Sequence, residues 1–433
     1  MRRFDSTWGE RFPTPARVIL LFCLTGLLIG PAAAGDWPQI LGPHRNGLAD
    51  GEQLVAWPKA GPRLIWQREV GQGFAGVAVV GKQAILFHRV GDELVAQCLD
   101  TATGKSTWRT TFETNYRASI SPDAGPRCVP LVHEGRVYLY GPSGELACVT
   151  LDTGKKIWAR NVNQEYGAPE GYFGAGSSPI VEGDKLLLNV GGRDGAGIVA
   201  FALADGKTVW KATDEGASYS SPTAATLGGQ RHVVFVTRLN VVSIDPQSGE
   251  VRFRFPFGQR GPTVNAANPL VLGDHLFVSA SYGVGAQWAK IAPSGTTTVW
   301  ESDDVMSSQY TTSVEKDGVL YGIDGRQDVG VARLRAFDPR SGKVFWTEEN
   351  FGTGNLILAG DKLLVLKTDG TLVLIDPNPK SYRPLADAQI FDATVQALPA
   401  LAGGLLIARD TQTLKCLAVG QPAAGKSGPS KPN

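Results

Sequence analysis

The 433-residue chain has only five cysteines, and no two of them are adjacent. Their spacing fits no thiolate metal site, which excludes zinc-finger and zinc-ribbon architectures. The five histidines, His44, His88, His133, His232 and His275, are scattered, and none pairs at ligand spacing. Charge is sparse and balanced: 42 basic side chains stand against 41 acidic ones. That balance argues against a nucleic-acid partner or an anionic membrane surface. There is no Gly-x-Ser-x-Gly nucleophile elbow. The apolar run Val18 to Ile29 has 12 residues, short of the roughly 20 a spanning helix needs. No segment sustains a helical period, so almost no helix is expected.

Turn formers and tryptophan are what the chain has in quantity, with 53 Gly, 27 Pro and 10 Trp. They recur in one phrase. Leu99-Asp100-Thr101-Ala102-Thr103-Gly104-Lys105 leads to Trp108, and Leu151-Asp152-Thr153-Gly154-Lys155 leads to Trp158. Related phrases lead to Trp210, Phe253, Trp300 and Trp346, and Trp66 stands ahead of the first. Asp or Pro opens a tight turn and Gly closes it, between two strands. The aromatic residue is a large apolar plate suited to packing between sheets. These seven aromatics, Trp66, Trp108, Trp158, Trp210, Phe253, Trp300 and Trp346, are separated by 42, 50, 52, 43, 47 and 46 residues. A strand-rich repeat of that length marks a β-propeller, each unit being one four-stranded antiparallel blade.

Unit starts near Val77, Cys128, Ser178, Ser221, Asn268, Thr312, Leu356 and Leu398 make eight blades. Seven units are complete, the seventh ending at Phe391. The eighth, Leu398–Val419, lacks an outer strand and would borrow the one carrying Trp66. The fold expected is therefore all-β: an eight-bladed propeller closed by N- and C-terminal strands. Seven blades is the competing count, because the last two units are degenerate. Residues 1–34 read as an export signal, with basic Arg2, Arg3, Arg11 and Arg17, an apolar run, and Ala32-Ala33-Ala34 as a cleavage site. An uncleaved anchor is the competing reading. Residues 35–62 form an N-terminal loop segment, 63–419 the propeller, and 420–433 a disordered tail. Export permits disulfides, but no pairing of Cys98, Cys128, Cys148 and Cys416 follows from their positions. Gly71-Gln72-Gly73-Phe74-Ala75-Gly76 matches a dinucleotide-loop pattern, but a strand follows where a helix would be required, so it reads as a blade connection.

The Leu-Asp-x-x-x-Gly-Lys-x-x-Trp phrase resembles the pyrroloquinoline-quinone (PQQ) type propeller repeat. That family includes quinoprotein alcohol dehydrogenases and the assembly lipoprotein BamB. Asp36-Trp37-Pro38-Gln39, with Gly42-Pro43 and Asn46-Gly47, further resembles an exported group of PQQ-like proteins common in Planctomycetes. For the dehydrogenases the resemblance implies PQQ above the channel, calcium on Glu, Asn and Asp oxygens, an Asp base and often two adjacent cysteines. This chain has no Cys-Cys pair, and the calcium ligands map onto no motif. The expectation is thus an exported, periplasmic or extracellular, BamB-like binding or scaffolding protein. It is expected to have no metal and no cofactor, and no membrane span after signal cleavage. The alternative is a PQQ-dependent dehydrogenase with a divergent site, which alone would need PQQ and calcium. A carbohydrate- or peptide-binding module is a third class. Before the first strand of several units stand Arg127, Tyr172, Phe173, Tyr219, Asn265, Gln309 and Tyr310. These are the candidates to bind a protein or small-molecule ligand at the central opening.

Overall fold

Alternating apolar residues and Gly-closed turns fold each repeat into four short antiparallel strands. The computed structural model describes residues 1, 35–261, 263–292 and 295–421. Among them, eight four-stranded sheets follow one another as the blades of a propeller. Blades 1 to 7 span residues 78–113, 131–161, 180–212, 223–256, 270–302, 314–348 and 354–389. Blade 8 joins Ala400–Ala402, Leu405–Arg409 and Thr413–Ala418 to the N-terminal strand Arg63–Glu69. That strand runs antiparallel to the last one, from Arg63 opposite Ala418 to Glu69 opposite Thr413. The eight-blade count and the closure by both ends of the chain are therefore correct, and the seven-blade count is not.

A second clasp pairs Gln53–Leu54 with Gly420–Gln421, inside the stretches expected to be loop and tail. Residues 2–34, where an export signal is expected, and residues 422–433 lie outside the described residues. The one α-helix among the described residues is Val162–Tyr166. No described helix is long and apolar enough to cross a membrane. The four described cysteines are buried and unbonded.

The two halves of the repeated phrase meet across neighbouring blades. In each blade the outer strand slips register next to one fixed position. Trp108 lies there opposite Cys98, Trp158 opposite Cys148 and Trp66 opposite Cys416. Each ring reaches the turn of the next blade. Trp66 Nε1 donates to the Thr101 carbonyl at 2.8 Å, Trp108 to Leu151 at 2.8 Å and Trp346 to Asn378 at 2.8 Å. The turn glycine is what lets the ring lie flat: a Cβ on Gly104 would come within 2.7 Å of the Trp66 ring. In blade 7 the fixed position holds Ala386, opposite Leu374. Phe391, read above as that blade's end, lies beyond the outer strand Pro384–Gln389. The reason is topological. Blade 8 has a chain seam where the others have a turn, so a Trp from blade 7 would find nothing to dock against.

The apolar core is divided among the blade interfaces. Phe87 and Val137 belong to one buried cluster between blades 1 and 2, and Val236 and Leu276 to one between blades 4 and 5. A single larger cluster, including Trp66, Leu86, Leu364 and Leu406, spans blades 7, 8 and 1 across the seam.

Around the centre, the residues at the head of the inner strands tie blade to blade. The Val129 amide donates to Ser178 Oγ at 2.9 Å, Ser178 to Ser221 Oγ at 2.9 Å, Ser221 to Asn268 Oδ1 at 2.8 Å and Asn268 to Thr312 Oγ1 at 2.9 Å. Each link satisfies an amide that has no ladder partner.

Candidate binding funnel on the connection face

In a four-stranded antiparallel blade, the first and third turns fall on one face of the ring. The second turn and the connection to the next blade fall on the other. All seven candidate binding residues lie in connections, so all lie on that second face.

The first face is crossed by the N-terminal segment. Trp37 pairs with Val79 of blade 1, and the Pro38 carbonyl accepts from Val132 of blade 2. Arg45, 2% exposed, donates to the Ser178 and Pro179 carbonyls of blade 3 at 3.0 and 2.8 Å. Burial holds its guanidinium down to about 9. Gly47 and Ala49 bond to Leu358 of blade 7 on the far side. Ile40 and Leu41 pack with Val129 and Leu398. The segment reaches inner strands on opposite sides, so it spans the centre and leaves the connection face as the open one.

On the open face, three successive connections build a cavity of about 470 Å³ lined by Tyr172, Tyr219 and Asn265, among others. Tyr172 is 40% exposed, with its hydroxyl 3.4 Å from the Gly261 carbonyl. Phe173 meets Tyr219 edge-on at 5.9 Å, and the Phe173 amide donates to the Tyr219 hydroxyl at 2.9 Å. Burial pushes the Tyr219 hydroxyl up to about 12, so it stays protonated. The Tyr219 and Ser220 amides share the Asn265 carbonyl, each at 3.0 Å. The Asn265 side chain is committed to the Thr237 carbonyl at 2.9 Å. Asn265 thus shapes the wall, while Tyr172 presents its ring at the mouth.

The remaining candidates lie elsewhere. Arg127 is paired with Asp123 at 2.8 Å and stacks over Phe74 at 4.8 Å, in the connection before blade 2. Gln309 and Tyr310 belong to a separate network, in the connection between blades 5 and 6. Gln309 Nε2 donates to the Tyr282 hydroxyl at 3.0 Å, and the Tyr310 hydroxyl to Gln327 Oε1 at 2.8 Å. Glu170 and Arg238 line the cavity but are not among the candidates drawn from the sequence. Arg238 sits in the second turn of blade 4, a loop type that carries no repeated phrase but shares the open face. The Gly71–Gly76 stretch is a blade connection, with Gln72 bridged to Arg89.

A family model described as outer membrane protein assembly factor BamB matches residues 91–348, more than half of the chain. The chain belongs to this family. BamB of Burkholderia pseudomallei is 24% identical over 274 residues, covering 60% of this chain and 64% of that protein. BamB of Yersinia pestis is 23% identical over 272 residues, covering 58% and 65%. The match thus spans less than two thirds of either relative. Among solved structures, BamB from Moraxella catarrhalis superposes with a TM-score of 0.59 at 14% identity, covering 82% of this chain and 100% of that one. A europium-containing methanol dehydrogenase superposes with a TM-score of 0.66 at 12% identity, covering 87% and 89%. At such identities the likeness is one of fold.

The dehydrogenase likeness raises the question of PQQ and its metal. The cavity wall carries one carboxylate, Glu170. Among the described residues no three His, Cys, Asp or Glu side chains converge where a cation would sit. This cavity's residues do not fit the donor set and the Asp base of quinone chemistry.

Proposed function

We propose that this BamB-family propeller is an exported protein, periplasmic or extracellular, that binds a partner through the funnel on its connection face and performs no catalysis there. The observation that carries this reading is the Tyr172–Phe173–Tyr219 group. Two neighbouring connections bring Tyr172 and Tyr219 to one open cavity, with Phe173 packed against Tyr219 and Tyr172 left half-exposed at the mouth. Aromatic rings beside polar side chains give large contact area with directional bonds, as peptide-binding surfaces do. The occupant proposed is an extended peptide segment of a partner protein, in keeping with the assembly role in the relatives' names.

A displayed library of random peptides, selected against the folded chain, tests this. Selected peptides should lose at least tenfold in affinity against Tyr172→Ala and Tyr219→Ala. The variant Gln309→Ala, outside the cavity lining, should bind as the parent does. Peptides that bind all three variants equally would place the site elsewhere. Quinone absorbance retained after mixing with PQQ and calcium, together with dye reduction by alcohols, would overturn the non-catalytic reading.

A further inference from the structure

The segment that starts at Gly35 leads to a buried carboxylate with no cation paired to it among the described residues. Glu52 is 2% exposed. Its Oε1 accepts the Gly403 amide at 2.6 Å and its Oε2 the Gly404 amide at 2.8 Å, both from the first turn of blade 8. Both partners are neutral, and a carboxylate has about four acceptor positions, so roughly two remain free. Among the described residues Glu52 makes no ion pair. A buried charge held only by neutral donors is costly.

Gly35 is the residue that comes to it. A Cβ placed on Gly35 would lie 3.7 Å from Glu52 Oε1 and 3.3 Å from the Gly403 amide nitrogen. The Gly35 nitrogen is two bonds from that point, hence in the same neighbourhood. Only glycine tolerates this crowding together with a φ of +108°. The following residues hold the chain in place. Asp36 Oδ1 accepts the Gly81 amide at 2.8 Å, and Trp37 pairs with Val79. Asp36 is therefore turned to blade 1, away from the Gly35 nitrogen's route to Glu52. In sequence, Ala32-Ala33-Ala34 stands directly before Gly35.

We propose that Glu52 is the acceptor for the α-ammonium of Gly35 in the processed chain. The inference rests on the exported reading above. A host signal peptidase hydrolyses the Ala34–Gly35 peptide bond, water giving its hydroxyl to the Ala34 acyl carbon and a proton to the Gly35 nitrogen. At neutral pH the products are a carboxylate on the leader and an ammonium on Gly35. The neutral amide thereby becomes a cation next to Glu52. Glu52 already holds the blade 8 turn, one residue from the Gln53–Leu54 clasp. Processing thus adds a charge-assisted bond at the seam of the ring.

Two measurements test this. Mass spectrometry of chain secreted by an export-competent bacterium should show Gly35 as the first residue. Chain released in vitro to start at Gly35 is then ¹³C-dimethylated at its amines and titrated by NMR. The α-amine should titrate above the ordinary range of about 7.7–8.0, and fall back into it in Glu52→Gln. Retaining Ala32–Ala34 should lower the melting temperature by about 2 °C in the Glu52 chain, and leave Glu52→Gln unchanged. A mature chain starting elsewhere overturns both cleavage and pairing. A Gly35 start with an ordinary α-amine titration, in the Glu52 chain alone, overturns the pairing and leaves the export reading standing.

Discussion

Trp108 shows how one side chain serves two blades. Its strand belongs to blade 1, and its indole N–H bonds the Leu151 carbonyl of blade 2. Replacing it with alanine removes a buried plate and a hydrogen bond, which should cost about 3–5 kcal/mol in denaturant unfolding. A loss under about 1 kcal/mol, the range of surface sites, would mean that the ring does not anchor the interface. The same logic predicts no gain from Ala386→Trp, since blade 8 offers no turn to receive it. This is also why the anchors were legible and the exception was not. Trp66 to Trp346 announce themselves as a recurrent large aromatic, whereas Ala386 is explained by a missing turn on another blade. His88 makes a second prediction. Its Nδ1 accepts the Gly71 amide at 2.9 Å, and burial, with Arg409, Arg68 and Arg109 adding to it, holds the ring down to about 4. Between about 4 and the ordinary imidazole value of 6.5 the unfolded chain binds the proton and the folded chain does not. Stability from this residue is therefore full above 6.5 and lost as pH falls toward 4, by roughly 3 kcal/mol at most. His88→Asn, which keeps an acceptor near the Nδ1 position, should flatten the acid limb of the stability curve measured by urea unfolding over this window. An unchanged acid limb would show that His88 titrates normally.

At the scale of elements, the inner strands are held by a relay rather than by packing alone. Ser178, Ser221, Asn268 and Thr312 each accept an amide from the preceding blade. Ser221→Ala leaves the buried Ser178 amide without its partner and should cost about 1–3 kcal/mol, whereas Ser221→Asn, which keeps an acceptor, should cost less. Equal losses in the two variants would assign the effect to packing. These residues were legible as unit starts, but their hydrogen bonding was not, because each partner lies one repeat away. The connections divide in the same way. Tyr172, Phe173, Tyr219 and Asn265 gather because three consecutive connections adjoin, while Arg127 and the pair Gln309 and Tyr310 serve other sectors of the ring. The sequence marks which residues occupy connections, and ring order decides which connections share a cavity. Arg238 escaped notice because its turn has no repeated phrase to flag it.

At the scale of the whole molecule, the seam is the one interface that joins the two ends of the chain. Deleting residues 35–70 removes the outer strand of blade 8, the segment across the centre and Glu52 together. The exposed edge Thr413–Ala418 should then pair with other chains, and light scattering should show aggregation where the full ring stays monodisperse. A soluble, monodisperse deletion with an unchanged melting temperature would mean that the ring closes without the N-terminal strand. The seam also orders events in time. Arg63–Glu69 is made long before its partner Thr413–Ala418. Until those last strands exist, the first one has nowhere to go. A chain broken off anywhere before residue 413 keeps an unmatched strand at its beginning and an open blade at its end, both of the kind that proteases and chaperones recognise. Closure of the ring therefore acts as an inspection: only a chain read through to its final blade can hide both flaws at once.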